Sequence, residues 1–193
     1  MLDLIESFNF LNSLPIQDYL IINSEADLKK STEKFSFPLF IKISSSEHKL
    51  KIGGVKKANN SEELLNYYKL IKTKFPNKKI IVQKSVSGVE IIIGIKEDRV
   101  FGKLIMVGAG GSDVEKAKDV SFRAFPIEKE EISKMMNGLK ISKNLSENEK
   151  NQIGDFIQIL LKLNLEEIKE LDINPLIVNE KEARIVDARI EFA

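Results

Sequence analysis

The sequence has no cysteine and no tryptophan, and its 193 residues include one histidine, His48. Without cysteine there can be no disulfide framework, no thiolate metal site and no cysteine nucleophile. The composition suits a reducing compartment, so a cytoplasmic protein is expected. A Ser-His-Asp triad or a polyhistidine metal site would have to draw on His48 alone, which argues against a zinc enzyme. Charge of one sign is lacking too: 30 Lys and Arg stand against 29 Asp and Glu, a formal net charge of +1. Such a chain has no basic field for a nucleic-acid backbone, so no nucleic-acid partner is expected and any anionic ligand must be held locally. No stretch approaches the roughly 20 apolar residues of a membrane span. Residues 1–14 carry Asp3 and Glu6 and lack a basic start, so neither a signal peptide nor a membrane partner is expected.

The residues present are 42% apolar and 31% charged, enough for a core in one domain or in two small subdomains that share a site. Leu2, Ile5, Phe8 and Leu11 recur near helical spacing until Pro15, and the apolar run 19–22 reads as a strand. Ser24 with Asp27, Asn60 with Glu63, and Ser146 with Glu149 each have the spacing of a helix N-terminal cap. Residues 39–43 form an apolar strand. Segments 79–86 and 89–96 read as strands around a Ser87-Gly88 hairpin turn, with a third strand at 100–107 completing an antiparallel meander. Helices are expected near 128–137 and 146–163, and the chain closes with strands at 168–178 and 183–192 around a polar turn. Helices segregate from antiparallel strands, so the fold class is α+β.

The closing hairpin is the most informative segment. If Val178 pairs with Ala183, the antiparallel register sets Asn174 opposite Asp187 and Asp172 opposite Arg189, and period two puts all four on one face. Ile173, Pro175, Ile177, Val186, Ala188 and Ile190 then form the packing face. An amide oxygen and a carboxylate in opposed positions are hard ligands suited to Mg²⁺; an exposed face of ordinary polar pairs is the alternative. Lys42 lies inside an apolar strand, where it must meet an anion such as phosphate or reach solvent. Gly108-Ala109-Gly110-Gly111 is either a phosphate-approaching loop or a simple bend; it is no Walker A loop, because Gly-Lys-Ser/Thr is missing. His48 lies in the polar, glycine-ended segment 44–55, where a histidine is either a nucleophile toward phosphorus or an ordinary loop residue.

Together these segments resemble the ATP-grasp β subunit of ADP-forming acyl-CoA synthetases, the acetate-CoA ligases, which are related to the succinyl-CoA synthetases. The resemblance rests on His48-Lys49 with Gly53-Gly54-Val55, on Gly88 to Gly94, on Phe101-Gly102 through Gly111, on Lys118 to Arg123, and on Glu170 to Leu176 with Asp187-Ala188-Arg189-Ile190. It implies an ATP-grasp fold of two α+β subdomains, 1–80 with the phosphohistidine loop and 81–193 with the nucleotide and metal site, and ATP or ADP bound between them. It implies nucleotide contacts at Lys42, Gln83, Lys84, Glu90, Gly110 and Gly111, Mg²⁺ on Asn174 and Asp187, and support from Asp172 and Arg123. His48 matches a phosphohistidine that carries a phosphoryl group to a CoA-binding α subunit, in a hetero-oligomer of α2β2 type. No Gly-x-Gly-x-x-Gly fingerprint for CoA occurs in this chain, so acyl-CoA chemistry is expected in the partner. The sequence departs from the family pattern at Lys84, where an acidic residue is usual, and at Leu50 and Lys51 after His48-Lys49. The segment 138–148 is also short and lacks the family's Arg-Gly loop. These departures motivate a second reading, a nucleotide-binding regulatory module without turnover; a stand-alone ATP-grasp carboxylate ligase is a third, and it leaves His48 unexplained.

Overall fold

The computed structural model describes residues 1–47, 49–111 and 118–193. The chain folds into two compact units, one of 2–6 and 17–86, the other of Met1, 7–16 and 87–193. Helix α1 (Leu4–Phe10) contributes residues to both.

The smaller unit is a four-stranded antiparallel sheet with two helices. Its strands are β1 (Tyr19–Ile22), β2 (Leu39–Ile43), β3 (Val55–Ala58) and β4 (Ile80–Lys84), in the spatial order β1-β4-β2-β3. Helix α2 (Glu25–Lys34) begins where the Ser24 side chain accepts from the Asp27 amide, and α3 (Ser61–Lys74) where Asn60 accepts from Glu63; such caps contribute about 1 kcal/mol each. One face of the sheet supplies Leu39, Ile41, Ile43, Ile80 and Val82, which pack with Leu28 of α2 and with Leu64, Tyr68 and Ile71 of α3. Alternation along β2 and β4 sends Phe40, Lys42, Ile81 and Gln83 to the other face. The sequence pattern does not announce strand β3, because its four residues Val-Lys-Lys-Ala carry two charges and no clear alternation; lysines suit an edge strand.

The larger unit holds β5 (Val89–Asp98), β6 (Gly102–Ala109), β7 (Val120–Ala124), β8 (Ile168–Val178), β9 (Ala183–Ile185) and β10 (Ala188–Phe192), in the order β10-β8-β5-β6-β7 with β9 also paired to β8. Helices α4 (Lys129–Asn137) and α5 (Glu147–Leu160) bury Ile132, Met135, Met136, Ile153, Phe156, Ile157 and Leu160. Ser146 and Glu149 form a complete capping box on α5. Among the described residues no helix is long and apolar enough to cross a membrane.

The expected β4–β5 hairpin does not form. Strand β4 is central in its own sheet, paired on one side with β1 and on the other with β2, so it has no edge left for β5. Gly88 is needed for a close approach instead of a hairpin turn: a Cβ there would lie 2.2 Å from the Val178 carbonyl oxygen. The β5–β6 pairing agrees with the sequence pattern, and β6 pairs further with β7, a strand that the pattern does not announce.

The closing hairpin has the expected register. Val178 faces Ala183, Asp172 faces Arg189, and the Asn174 amide donates to the Asp187 carbonyl at 3.2 Å. The expected continuous alternation is corrected, however. Leu171 and Ile173 are buried, but past Pro175 the fully buried positions are Leu176 and Val178; on the other arm they are Ile185, Ala188 and Ile190. The buried series changes phase at 174–175 on one arm and at 186–187 on the other. Because both arms change together, the cross-strand register is the same on either side. Pro175 and Val186, expected on the packing face, are only half-buried.

Candidate functional site

In the larger unit the glycine loop, β5 and the closing hairpin bring several expected residues together. The Gly110 amide donates to the Glu90 carbonyl at 2.7 Å, and the Gly111 amide donates to Asn174 Oδ1 at 2.9 Å. Neither glycine can be replaced without displacement. A Cβ on Gly110 would meet Ile91 backbone atoms at 2.6–2.8 Å, and one on Gly111, whose φ is +89°, would lie 1.8 Å from Glu90 Oε2. The backbone therefore approaches Glu90 and the hairpin as closely as its atoms allow. Asp187 stands across the hairpin from Asn174.

This donor set fits Mg²⁺. The Asn174 amide oxygen has two lone pairs and gives one to Gly111, and the half-buried Asp187 adds a carboxylate, so both are hard oxygen donors. Asp172 is engaged by Arg189, whose guanidinium nitrogen lies 2.5 Å from a carboxylate oxygen, so Asp172 braces the hairpin beside the pair. Arg123 is placed elsewhere. Its Nε donates to Glu131 Oε2 of α4 at 2.8 Å and its terminal nitrogen to the Phe122 carbonyl at 2.7 Å. Lys134 and then Arg123 hold the Glu131 carboxyl below the usual carboxylate range. Asp119, within the motif that carried the resemblance, also has a local use: its two oxygens accept from the Lys140 and Ile141 amides at 2.8 and 2.7 Å, capping the short 3-10 turn Ile141–Asn144.

In the smaller unit Lys42 is only 6% exposed, and its Nζ donates to Gln83 Oε1 at 2.6 Å. It does not reach solvent as a snorkelling lysine would; a neutral side-chain amide accepts from it inside the fold. Nζ also lies 5.6 Å from the Phe40 ring centroid. Gln83 is 1% exposed, while Lys84, whose amide donates to the Asp18 carbonyl, has an exposed side chain. Tyr19 sits opposite Gln83 on β1, and burial raises its phenol pKa.

His48 lies outside the described residues. The chain on either side of it is tied down. The Ser44 hydroxyl accepts from the Ile5 amide and donates to Asp3 Oδ1, the Gly54 amide donates to the Lys49 carbonyl at 2.7 Å, and Lys74 Nζ donates to the Ile52 carbonyl at 2.8 Å. Lys49 is buried and Leu50 is 68% exposed, the reverse of their polarity. Sequence reasoning names Lys49 only as part of a motif, and it misses Lys74 and Gln17, a buried amide that donates to the Lys84 carbonyl at 3.0 Å. The only signal available for Gln17 is its position just before a strand, which is too weak to single it out.

A family profile described as an ATP-grasp domain matches residues 2–192. The β subunit of ADP-forming acetate–CoA ligase I of Pyrococcus furiosus is 35% identical, over 93% of this chain and 86% of that one. The ADP-forming 4-hydroxybutyrate–CoA ligase of Nitrosopumilus maritimus is 37% identical over 92% of this chain, which spans only 28% of that ligase. Among solved structures, the dinucleotide forming acetyl-coenzyme A synthetase 1 of Ca. Korarchaeum cryptofilum, with coenzyme A and Mg-AMPPCP and its phosphohistidine segment pointing towards the nucleotide binding site, superposes with a TM-score of 0.80. It is 30% identical, and the match covers 98% of this chain and 92% of that one.

Proposed function

We propose that this chain, which belongs to the ATP-grasp family of the ADP-forming acyl-CoA ligases, binds ATP or ADP with Mg²⁺ and exchanges a phosphoryl group between the nucleotide and His48. The reading rests chiefly on one observation: Glu90, Gly110, Gly111 and Asn174 converge, with Asp187 facing Asn174 across the hairpin. Bound there, Mg²⁺ would neutralise charge on the β- and γ-phosphate oxygens. The chain's own part is positioning and electrostatics. Asn174 and Asp187 would hold the metal, with Asp172 and Arg189 bracing their strands. Gly110 and Gly111 keep the backbone close beside the site. Lys42 offers a fixed ammonium to phosphate. His48 accepts the γ-phosphoryl group on a ring nitrogen as the bond to the β-phosphate bridging oxygen breaks, leaving ADP; the reverse step makes ATP.

On the same reading, a CoA-binding partner, in an α2β2 assembly or as further chain, takes the phosphoryl group from His48 and carries the acyl chemistry. The tethers on both sides of His48, at Ser44 and at Lys49 to Gly54, suit a segment that presents one residue from fixed ends. The test is transfer of label from γ-labelled ATP. Acid-labile, alkali-stable label should appear on the wild type with its CoA-binding partner and be absent from His48→Asn, which should still bind nucleotide. Full acyl-CoA synthesis by His48→Asn would refute the shuttle. A nucleotide-binding module without turnover is the second reading, favoured by the exposed Leu50 two residues after His48. It predicts nucleotide binding with no label on the wild type.

A further inference from the structure

The smaller unit contains a relay that none of the assigned roles uses. Lys42 Nζ donates to Gln83 Oε1 at 2.6 Å, Gln83 Nε2 donates to the Gln17 carbonyl at 3.4 Å, and Gln17 Nε2 donates to the Lys84 carbonyl at 3.0 Å. All three side chains are buried, at 6%, 1% and 5% exposure for Lys42, Gln83 and Gln17. The register explains the first contact. Phe40 faces Gln83 across β2 and β4 and Ile81 faces Lys42, so Lys42 and Gln83 are diagonal neighbours on one face, within reach of two long side chains.

The chemistry of the neighbours fixes the Gln83 amide. An ammonium can only donate and a main-chain carbonyl can only accept, so the amide oxygen must face Lys42 and the amide nitrogen must face Gln17. Both ends of Gln83 are thus used inside the fold. Its link to Lys42 adds a hydrogen bond without adding negative charge. A carboxylate at this position would compete with phosphate for the lysine's charge, and an apolar side chain would remove this anchor from the ammonium.

We infer that Gln83 is a positioning residue for Lys42, acting as a neutral anchor that holds the ammonium ready for a phosphate, and that the Gln17 main-chain carbonyl orients Gln83. This inference rests on the nucleotide reading above and changes the role expected of Gln83, from a nucleotide contact to a residue acting through Lys42.

Two measurements on the full chain test it. The first needs no nucleotide: the Lys42 Nζ–H resonance, observable when a buried ammonium is held by hydrogen bonds, should be present in the wild type, persist in Gln83→Glu and be lost in Gln83→Met. The second is calorimetric affinity for ATP with Mg²⁺. Gln83→Glu should weaken binding at least tenfold and Gln83→Met by less, while in a Lys42→Met background neither should have a further effect. Gln17→Met keeps the main-chain carbonyl to which Gln83 donates and removes only the bond to the Lys84 carbonyl, so it should weaken binding less than Gln83→Met does and do nothing in a Gln83→Met background. Equal losses with and without Lys42 would make Gln83 a direct ligand contact and overturn the inference. So would an Nζ signal that is unchanged in Gln83→Met. If Gln83→Glu does not fold, the neutral Met variant carries both tests. A wild type that binds no nucleotide would refute the functional reading, and the Nζ measurement would still decide the anchoring.

Discussion

The two units hold their polar groups in opposite ways. In the four-stranded unit Lys42 and Gln83 meet side chain to side chain, and the Gln83 and Gln17 side-chain amides each donate to a main-chain carbonyl, all buried in a sheet with apolar neighbours. In the six-stranded unit the Asn174–Asp187 pair is half-buried, and the contacts that frame it come largely from main-chain amides of a glycine loop and an opposed strand. A group carried by a side chain can be removed while the backbone stays. A group framed by close-packed backbone fails when a side chain is added. The two regions should therefore break under different substitutions.

The largest effect is expected at Gly110. An alanine Cβ would lie 2.6 Å from the Ile91 carbonyl carbon, and two hydrogen-bonded main chains cannot part cheaply. Gly110→Ala should cost about 3 kcal/mol in urea unfolding and lose nucleotide binding with it. If it were as stable as the wild type, the backbone-framed description of this site would fail.

Lys42→Met comes next, with the opposite signature. A buried ammonium is costly to desolvate, but its loss leaves the buried Gln83 Oε1 without this donor, so the two effects oppose each other and Lys42→Met should change stability by only about 1 kcal/mol. Loss of a charged hydrogen-bond donor should weaken ATP binding by roughly 10- to 100-fold. Unfolding by Lys42→Met, or unchanged affinity, would erase the contrast with Gly110. Asp187→Ala should be milder still, removing only the metal-dependent part: affinity in excess Mg²⁺ should fall to the level that the wild type shows in EDTA. A Mg²⁺-induced gain equal to the wild type's would take Asp187 out of the metal site.

The two regions also differ in what their sequences disclose. The hairpin's pairing is legible because turn length and strand ends fix an antiparallel register, and a phase change shared by both arms leaves that register intact. The phase change itself is hidden. Pro175 and Val186 continue an alternating apolar pattern that their half-buried positions do not follow, since nothing local encodes a shift dictated by the neighbouring strand β5, whose own pairing with β8 shifts between Ile91 and Ile93. Lys42 stands out because a charge within Leu-Phe-Ile-Lys-Ile is costly, yet its amide partner lies 41 residues away, on a strand that the local pattern pairs with the wrong neighbour. Arg123 shows the limit of a motif: the resemblance implies a supporting role at the site, but the arginine is engaged by a carboxylate eight residues on, a contact set by how α4 packs on β7.

The smallest expected effect separates Arg123 from the site. Glu131 is held by Lys134 at 2.6 Å and by Arg123 at 2.8 Å, and the hydrogen bond from Lys134, followed by that from Arg123, keeps its carboxyl below the usual range. A carboxyl whose pKa is lower in the folded protein stabilises it at pH values above the unfolded-state value, and this contribution is lost as pH falls through the folded value. The wild type should therefore melt slightly above Glu131→Gln at neutral pH, and the gap should close on acidification below the normal carboxylate range. Both partners are exposed enough for solvent to screen the pairs, so the gap should be small and shrink in salt. Nucleotide affinity should not change, because in this structure the arginine braces β7 against α4. If Glu131→Gln weakened ATP binding with the melting temperature unaltered, Arg123 would act on the nucleotide and Glu131 would be what aims it.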